Sequence, residues 1–190
     1  MPDDVICLRP LVDFQRAGVV PPASLAIAYR PPDDPQLAGL VRTARALVIP
    51  AVGPRLGASL FQGSSIKFVQ VTGAGVDRLD EPTMKSLGIA IANVPGNPAV
   101  AEYCIGVALT LLRRFAWADT EIRAGNYIPF RGRMLADNLP GLEGDTARRV
   151  LFTPHIAGVT RQSVAVLFRE AWANVERVLV KGEAPLYRIY

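Results

Sequence analysis

Short, almost wholly apolar runs recur along the first half of the chain, separated by segments of mixed polarity. "VICLRP" reads as a strand ended by a proline, and "SLAIAYR" as a second strand closed by Pro31 and Pro32. "PQLAGLVRTA" has helical spacing at Leu37, Leu40 and Val41. "ALVIPAVG" is a third strand, ending at Pro50 and Gly53. "GASLFQG" predicts a short helical turn and "IKFVQVTGAG" a fourth strand running into glycines. "MKSLGIAIANVPG" predicts a short helix, a stop at Gly88 and a fifth strand. Strands that are apolar throughout, rather than alternating, belong to a parallel sheet covered on both faces. Five such units predict a small doubly wound α/β domain.

The pattern then changes period. "NPAVAEYCIGVALTLLRRFAWADTEIRAG" predicts one long helix, with Asn97 as N-cap and Pro98 as first helical residue. Val100, Cys104, Val107, Leu111, Phe115, Ala118 and Ile122 form its apolar face, and Gly125 its stop. Residues 126–149 hold no clean periodicity and read as a linker, unusually long for a compact domain. "VLFTP" is a short strand, and a second long helix runs from about Arg161, with Thr160 as N-cap. Its stripe is Val164, Leu167, Ala171, Val175 and Val178, ending at Gly182.

Composition narrows the class. The chain has 190 residues, half of them apolar, and a net charge of +4 without like-charge runs, so nucleic acid is not the expected partner. No apolar run approaches the roughly 20 residues of a membrane span. The acidic start "MPDDVICLRP" is not a secretory signal, and a cytoplasmic location is expected. Cys7 and Cys104 both lie in apolar runs and are expected to be buried free thiols. With a single histidine, a protein-only zinc site is not expected.

Two stretches carry candidate chemistry. "VTGAGVDRLD" follows a strand and contains G-x-G, but Arg78 stands where a dinucleotide loop has its third glycine, and no crossover helix follows. It reads either as a plain turn, with Gly73 and Gly75 at positive φ, or as a backbone cradle for a small carboxylate. The second stretch is "TPHIAG". His155 leaves a rigid Thr-Pro step before a helix, a setting suited to proton transfer or to a structural role. The nearest acids in sequence, Asp145 and Glu170, are at no telling spacing from it.

"FVQVTGAGVDRLD", "GIAIANVPGNPAVAEYCIGVALTLLRR" and "VLFTPHIAGVTRQSV", in this order, resemble the D-2-hydroxyacid dehydrogenases. The resemblance implies a flavodoxin-like fold, a doubly wound parallel five-stranded sheet with two long helices, for a substrate domain made of residues 1–125 and 150–190. In that family an NAD-binding Rossmann domain is inserted where this chain has residues 126–149. Only "DTARR" lies between "GLEG" and "VLFTPH", and no G-x-G-x-x-G occurs anywhere, so the chain resembles the substrate domain with its cofactor domain deleted. The resemblance further implies His155 as acid/base, Ala74, Gly75 and Val76 as the substrate cradle, and Asn97 and Val100 as vestigial cofactor-facing residues. The family's glutamate and arginine have no counterpart here.

The expectation is therefore a domain without dehydrogenase activity of its own and with no bound cofactor, NAD belonging to the intact family. Two other readings stand beside it: weak binding of a small 2-hydroxy or 2-oxo acid, and self-association as a homodimer through apolar surface exposed on residues 98–124 and 160–181. A phosphate-accepting receiver would want acids at the end of the first strand, and a flavodoxin a Ser/Thr-rich loop there. "CLRPLVDF" supplies neither.

Overall fold

The computed structural model describes residues 4–126 and 156–190. The chain divides into two compact units, Met1–Gly96 with Arg161–Tyr190, and Asn97–Thr160. The first holds β1 (Val5–Cys7), α1 (Leu11–Arg16), β2 (Ile27–Tyr29), α2 (Leu37–Val41), β3 (Ala46–Pro50), a 3-10 turn (Ala58–Leu60), β4 (Phe68–Thr72), α3 (Glu81–Ser86), β5 (Ala90–Ala92) and α6 (Arg161–Leu179). The second holds α4 (Pro98–Arg113) and α5 (Phe115–Arg123).

The five strands pair in parallel in the order β2-β1-β3-β4-β5. Val48 of β3 lies opposite Cys7 on one side and Gln70 on the other. Alternate side chains of a strand point to opposite faces, and both faces are covered. Ile6, Leu47, Ile49, Val69, Val71 and Ile91 meet Leu37 and Val41 of α2 and Met84 of α3. Val5, Cys7, Ala46, Val48 and Phe68 meet Phe14 of α1 and Phe168, Trp172 and Val175 of α6. Phe14 is the hub of this second layer, with ring centroids 4.6 Å from Phe168, 5.4 Å from Trp172 and 6.4 Å from Tyr29.

The carboxyl-terminal tail closes the outer edge of β5. Ile189 N–H donates to Ile91 O at 2.9 Å and Asn93 N–H to Tyr187 O at 3.3 Å, around an antiparallel bridge between Ala92 and Arg188. A strand edge left unpaired would otherwise be open to another chain.

The doubly wound five-stranded sheet agrees with the sequence expectation, and four local features differ. Helix α1 follows Pro10 directly, although six residues carrying one buried side chain, Phe14, give too short a pattern to read. The predicted helix over residues 98–124 is broken at Arg114, which adopts the left-handed conformation at φ 55°. Arg114 N–H turns back to Leu111 O, and its guanidinium stacks 4.5 Å over Trp117, which helps to offset the left-handed conformation. Of α4 and α5 only Ala99 is buried, so the predicted apolar face is largely exposed, Cys104 included. By contrast α6 buries one apolar side on the sheet, while Val166 and Val180 stay exposed, at 45% and 54%. Its buried stripe is Ala165, Phe168, Ala171, Trp172 and Val175, rotated toward the aromatic residues. The predicted strand "VLFTP" and all but one residue of the predicted linker lie outside the described residues.

Candidate functional site

The loop after β4 is built by a set of contacts that leave one kind of backbone group over. Thr72 ends the strand and donates its hydroxyl to Ile49 O at 3.1 Å. Gly73 is buried, and a Cβ there would lie 2.6 Å from Ala51 Cβ, so the glycine serves close packing of two loops. Neither Gly73 nor Gly75 has positive φ, which corrects the plain-turn expectation. Gly73 O accepts from Val94 N–H at 3.0 Å, and Ala74 O from Asn93 Nδ2 at 2.7 Å. Val76 O accepts from Leu79 N–H at 2.9 Å, and Asp77 O from Arg55 Nε at 3.1 Å.

These carbonyls are engaged by donors of the protein, while the N–H groups of Ala74, Gly75 and Val76 meet no acceptor among the described residues. Ala74 is exposed, and Gly75 and Val76 are half-buried. Successive backbone donors at the carboxyl edge of a parallel sheet are a chemistry suited to an anion.

Two arginines flank this loop, and neither was singled out as a site residue from the sequence. Arg9, just past β1, donates from Nε to Thr72 Oγ1 at 3.1 Å, pairs with Asp13 at 2.9 Å and lies 4.9 Å over the Phe168 ring. Arg78 is 3% exposed, with Nε on Pro54 O at 2.8 Å and Nη1 on Pro50 O at 2.9 Å. In the sequence Arg78 registered only as the residue replacing a glycine. Its partners precede it by more than twenty positions, so no local pattern reveals them.

In the second unit, Asn97 is the N-cap of α4, accepting from Ala99 N–H at 3.1 Å, as its place before Pro98 predicts. Its Nδ2 donates to Gly158 O at 2.7 Å. A Cβ on Gly158 would lie 2.6 Å from that Nδ2 and 3.4 Å from Val100 Cγ2. Asn97 and Val100 are thus brought together at the turn that follows His155 in sequence. His155 itself lies outside the described residues.

A five-stranded parallel sheet in the order 2-1-3-4-5 with helices on both faces defines a flavodoxin-like α/β domain. Residues 23–189 match the family of the D-isomer specific 2-hydroxyacid dehydrogenases, catalytic domain, and the chain belongs to that family. It is 34% identical over 84 residues to a D-2-hydroxyacid dehydrogenase (NAD+) of Lacticaseibacillus paracasei, covering 42% of this chain and 25% of that protein. It is 37% identical over 114 residues to the erythronate-4-phosphate dehydrogenase of Escherichia coli O157:H7, covering 59% of this chain and 28% of the relative. The match thus spans less than a third of each of these relatives.

Among solved structures, the apo D-lactate dehydrogenase of Escherichia coli superposes with a TM-score of 0.62 at 14% identity, over 98% of this chain and 99% of that one. A protein of Pyrococcus horikoshii OT3 gives 0.72 at 13% identity, over 100% and 95%. The Aquifex aeolicus D-lactate dehydrogenase, solved with NAD and lactic acid, gives 0.54 at 18% identity, over 66% and 38%. These likenesses show the fold.

NAD serves the intact family, but the described residues do not fit it. A dinucleotide pyrophosphate rests on a helix that opens directly from a glycine-rich turn. Here α3 begins only at Glu81, is six residues long and carries that acid in its first turn. Among the described residues no helix is long and apolar enough to cross a membrane.

Proposed function

We propose that the chain is the substrate domain of a D-2-hydroxyacid dehydrogenase from which the NAD-binding domain is missing internally, near residues 145–149. On this reading it is a cytoplasmic domain that holds the carboxylate of a small 2-hydroxy or 2-oxo acid on the N–H groups of Ala74, Gly75 and Val76. His155 retains the family's acid/base position by sequence, but hydride transfer needs a donor that the described residues do not fit, so no dehydrogenase turnover is expected. The observation that supports the reading is the loop itself: carbonyls held by the protein and three successive N–H groups left for a ligand.

Titrating the isotopically labelled chain with pyruvate or glyoxylate tests it. Amide shifts confined to residues 73–77 are expected, at millimolar ligand, and no shift there rejects the binding reading. Steady NADH oxidation above background with 2-oxo acids would overturn the claim of inactivity.

A homodimer through α4 and α5 is a second reading. Ile105, Phe115 and Ile122 are 56%, 53% and 57% exposed, and apolar surface of this kind favours a partner. Light scattering that gives a monomer mass at high concentration rejects it.

A further inference from the structure

Among the described residues, Arg78 is a buried cation with no counter-ion. It is 3% exposed, its Nε and Nη1 donate to neutral carbonyls, and its Nη2 is buried without a partner. Among the described residues no carboxylate forms a salt bridge with it. Such burial is costly, and desolvation accordingly lowers the guanidinium pKa. The backbone is adapted to the group: Gly53 sits at φ +137°, and a Cβ there would be 3.1 Å from Arg78 Cζ.

The location gives the charge a use. Arg78 lies two residues past Val76, its carbonyl accepts from Leu56 N–H at 2.9 Å, and its side chain fastens residues 50 and 54 to the same loop. The neighbouring donors are neutral dipoles, and Asp77 brings a carboxylate against them, with Oδ2 only 3.2 Å from where a Gly75 Cβ would stand. An incoming carboxylate therefore meets a negative group at the rim. A fixed positive charge carried two residues past Val76, buried and held on the Pro50 and Pro54 carbonyls, offsets that repulsion at a distance.

We infer that Arg78 is a positioning residue for the anion site at residues 74–76, clamping the β3 and β4 loops together and supplying the buried positive charge that makes the site select carboxylates over neutral ligands. This inference rests on the proposed binding of a 2-oxo acid.

A clamp without an electrostatic role would weaken every ligand alike, so the test compares pyruvate with its neutral isostere, pyruvamide, by amide titration of the full chain. The wild-type protein is expected to prefer pyruvate. Arg78→Met is expected to lose that preference by about tenfold, and Arg78→Lys, which keeps the charge, to retain most of it. Should Arg78→Met fail to fold, the wild-type Arg78 Nε–H resonance decides: it is expected to shift with pyruvate and not with pyruvamide. Binding of pyruvate with an unchanged ratio in Arg78→Met, or equal affinity for both ligands in the wild-type chain, overturns this inference and leaves the binding reading intact. No binding of pyruvate by the wild-type chain overturns both.

Discussion

The Nδ2 of Asn97 donates to the carbonyl of Gly158 at 2.7 Å, joining the start of α4 to the turn that follows His155 in sequence. The same side chain caps α4 through Oδ1, so a single amide holds two features. A carboxamide carries an acceptor oxygen and a donor nitrogen side by side, so Asn97 can make both bonds at once.

Substitutions separate the two bonds. Asn97→Asp keeps the acceptor for Ala99 and sets an anion against the Gly158 carbonyl. It is expected to preserve helix content by circular dichroism while the amide resonances of residues 156–159 move. Asn97→Ala loses both bonds and is expected to cost about 1 kcal/mol or more, as for a lost N-cap. Unchanged resonances around Gly158 in Asn97→Asp would reject the tether.

Gly73 and Ala51 form a size-matched pair between the β4 and β3 loops. Adding a Cβ at Gly73 places it 2.6 Å from Ala51 Cβ, closer than any van der Waals contact. Gly73→Ala is expected to destabilise the domain by about 1–3 kcal/mol, as overpacking does. Ala51→Gly alone should cost little, and the double variant should recover most of the loss in urea unfolding. A double variant as unstable as Gly73→Ala would show that the conflict lies elsewhere.

The two thiols differ in setting, with a consequence for pH. Cys7 is buried, and burial pushes its pKa up to about 12, although a hydrogen bond with the Arg9 backbone and the Arg9 charge pull the other way. Tyr29 is raised to about 12 as well, by burial first and then by the nearby Cys7. In the unfolded chain these groups ionise near about 8.5 and 10. The folded state therefore keeps protons that the unfolded chain releases. Their contribution to stability is complete below about pH 8.5 and is lost as pH rises toward 12. The urea midpoint is expected to fall between pH 9 and 11, and to fall less in Cys7→Ala. In the native protein a thiol reagent should modify the exposed Cys104 and spare Cys7 until unfolding. Rapid modification of both thiols in the folded state would contradict this.

What could be read from the sequence follows from how local each signal is. The strands are legible because β3 and β4 are buried along nearly their whole length, β3 reading as an apolar run and β4 as one interrupted by Gln70. The glycines mark the β4 loop, but the reason for Gly73 is Ala51, a contact made only when two loops pack. The break at Arg114 has no glycine or proline to announce it. On α6 the periodicity is plain, yet several neighbouring stripes are apolar. The one that wins carries Phe168 and Trp172, because Phe14 of α1 offers them a ring to pack on, and α1 itself is too short to read. Arg78 is opaque for the same reason as Gly73, since both its acceptors belong to another loop.

Asn174 and Gln70 make a buried polar pair where α6 crosses β4, and it too is invisible in the apolar pattern. Both are nearly inaccessible, at 3% and 0% exposed. Asn174 Nδ2 donates to Gln70 Oε1 at 2.7 Å and to Leu186 O at 3.0 Å, and Asn174 Oδ1 accepts from Leu186 N–H at 2.7 Å. Gln70 Nε2 is satisfied by Val71 O at 2.9 Å. Replacing Asn174 with leucine leaves Gln70 Oε1 unpaired in the core and releases the tail at Leu186. The expected cost is about 3 kcal/mol, most of it the desolvated Gln70 oxygen, since an orphaned buried acceptor is worse than an absent one. Combining Asn174→Leu with Gln70→Met removes the orphan, so the double variant should be more stable than Asn174→Leu alone. Urea unfolding of the four proteins in the cycle measures the difference. Strictly additive effects would show that the two amides do not support one another.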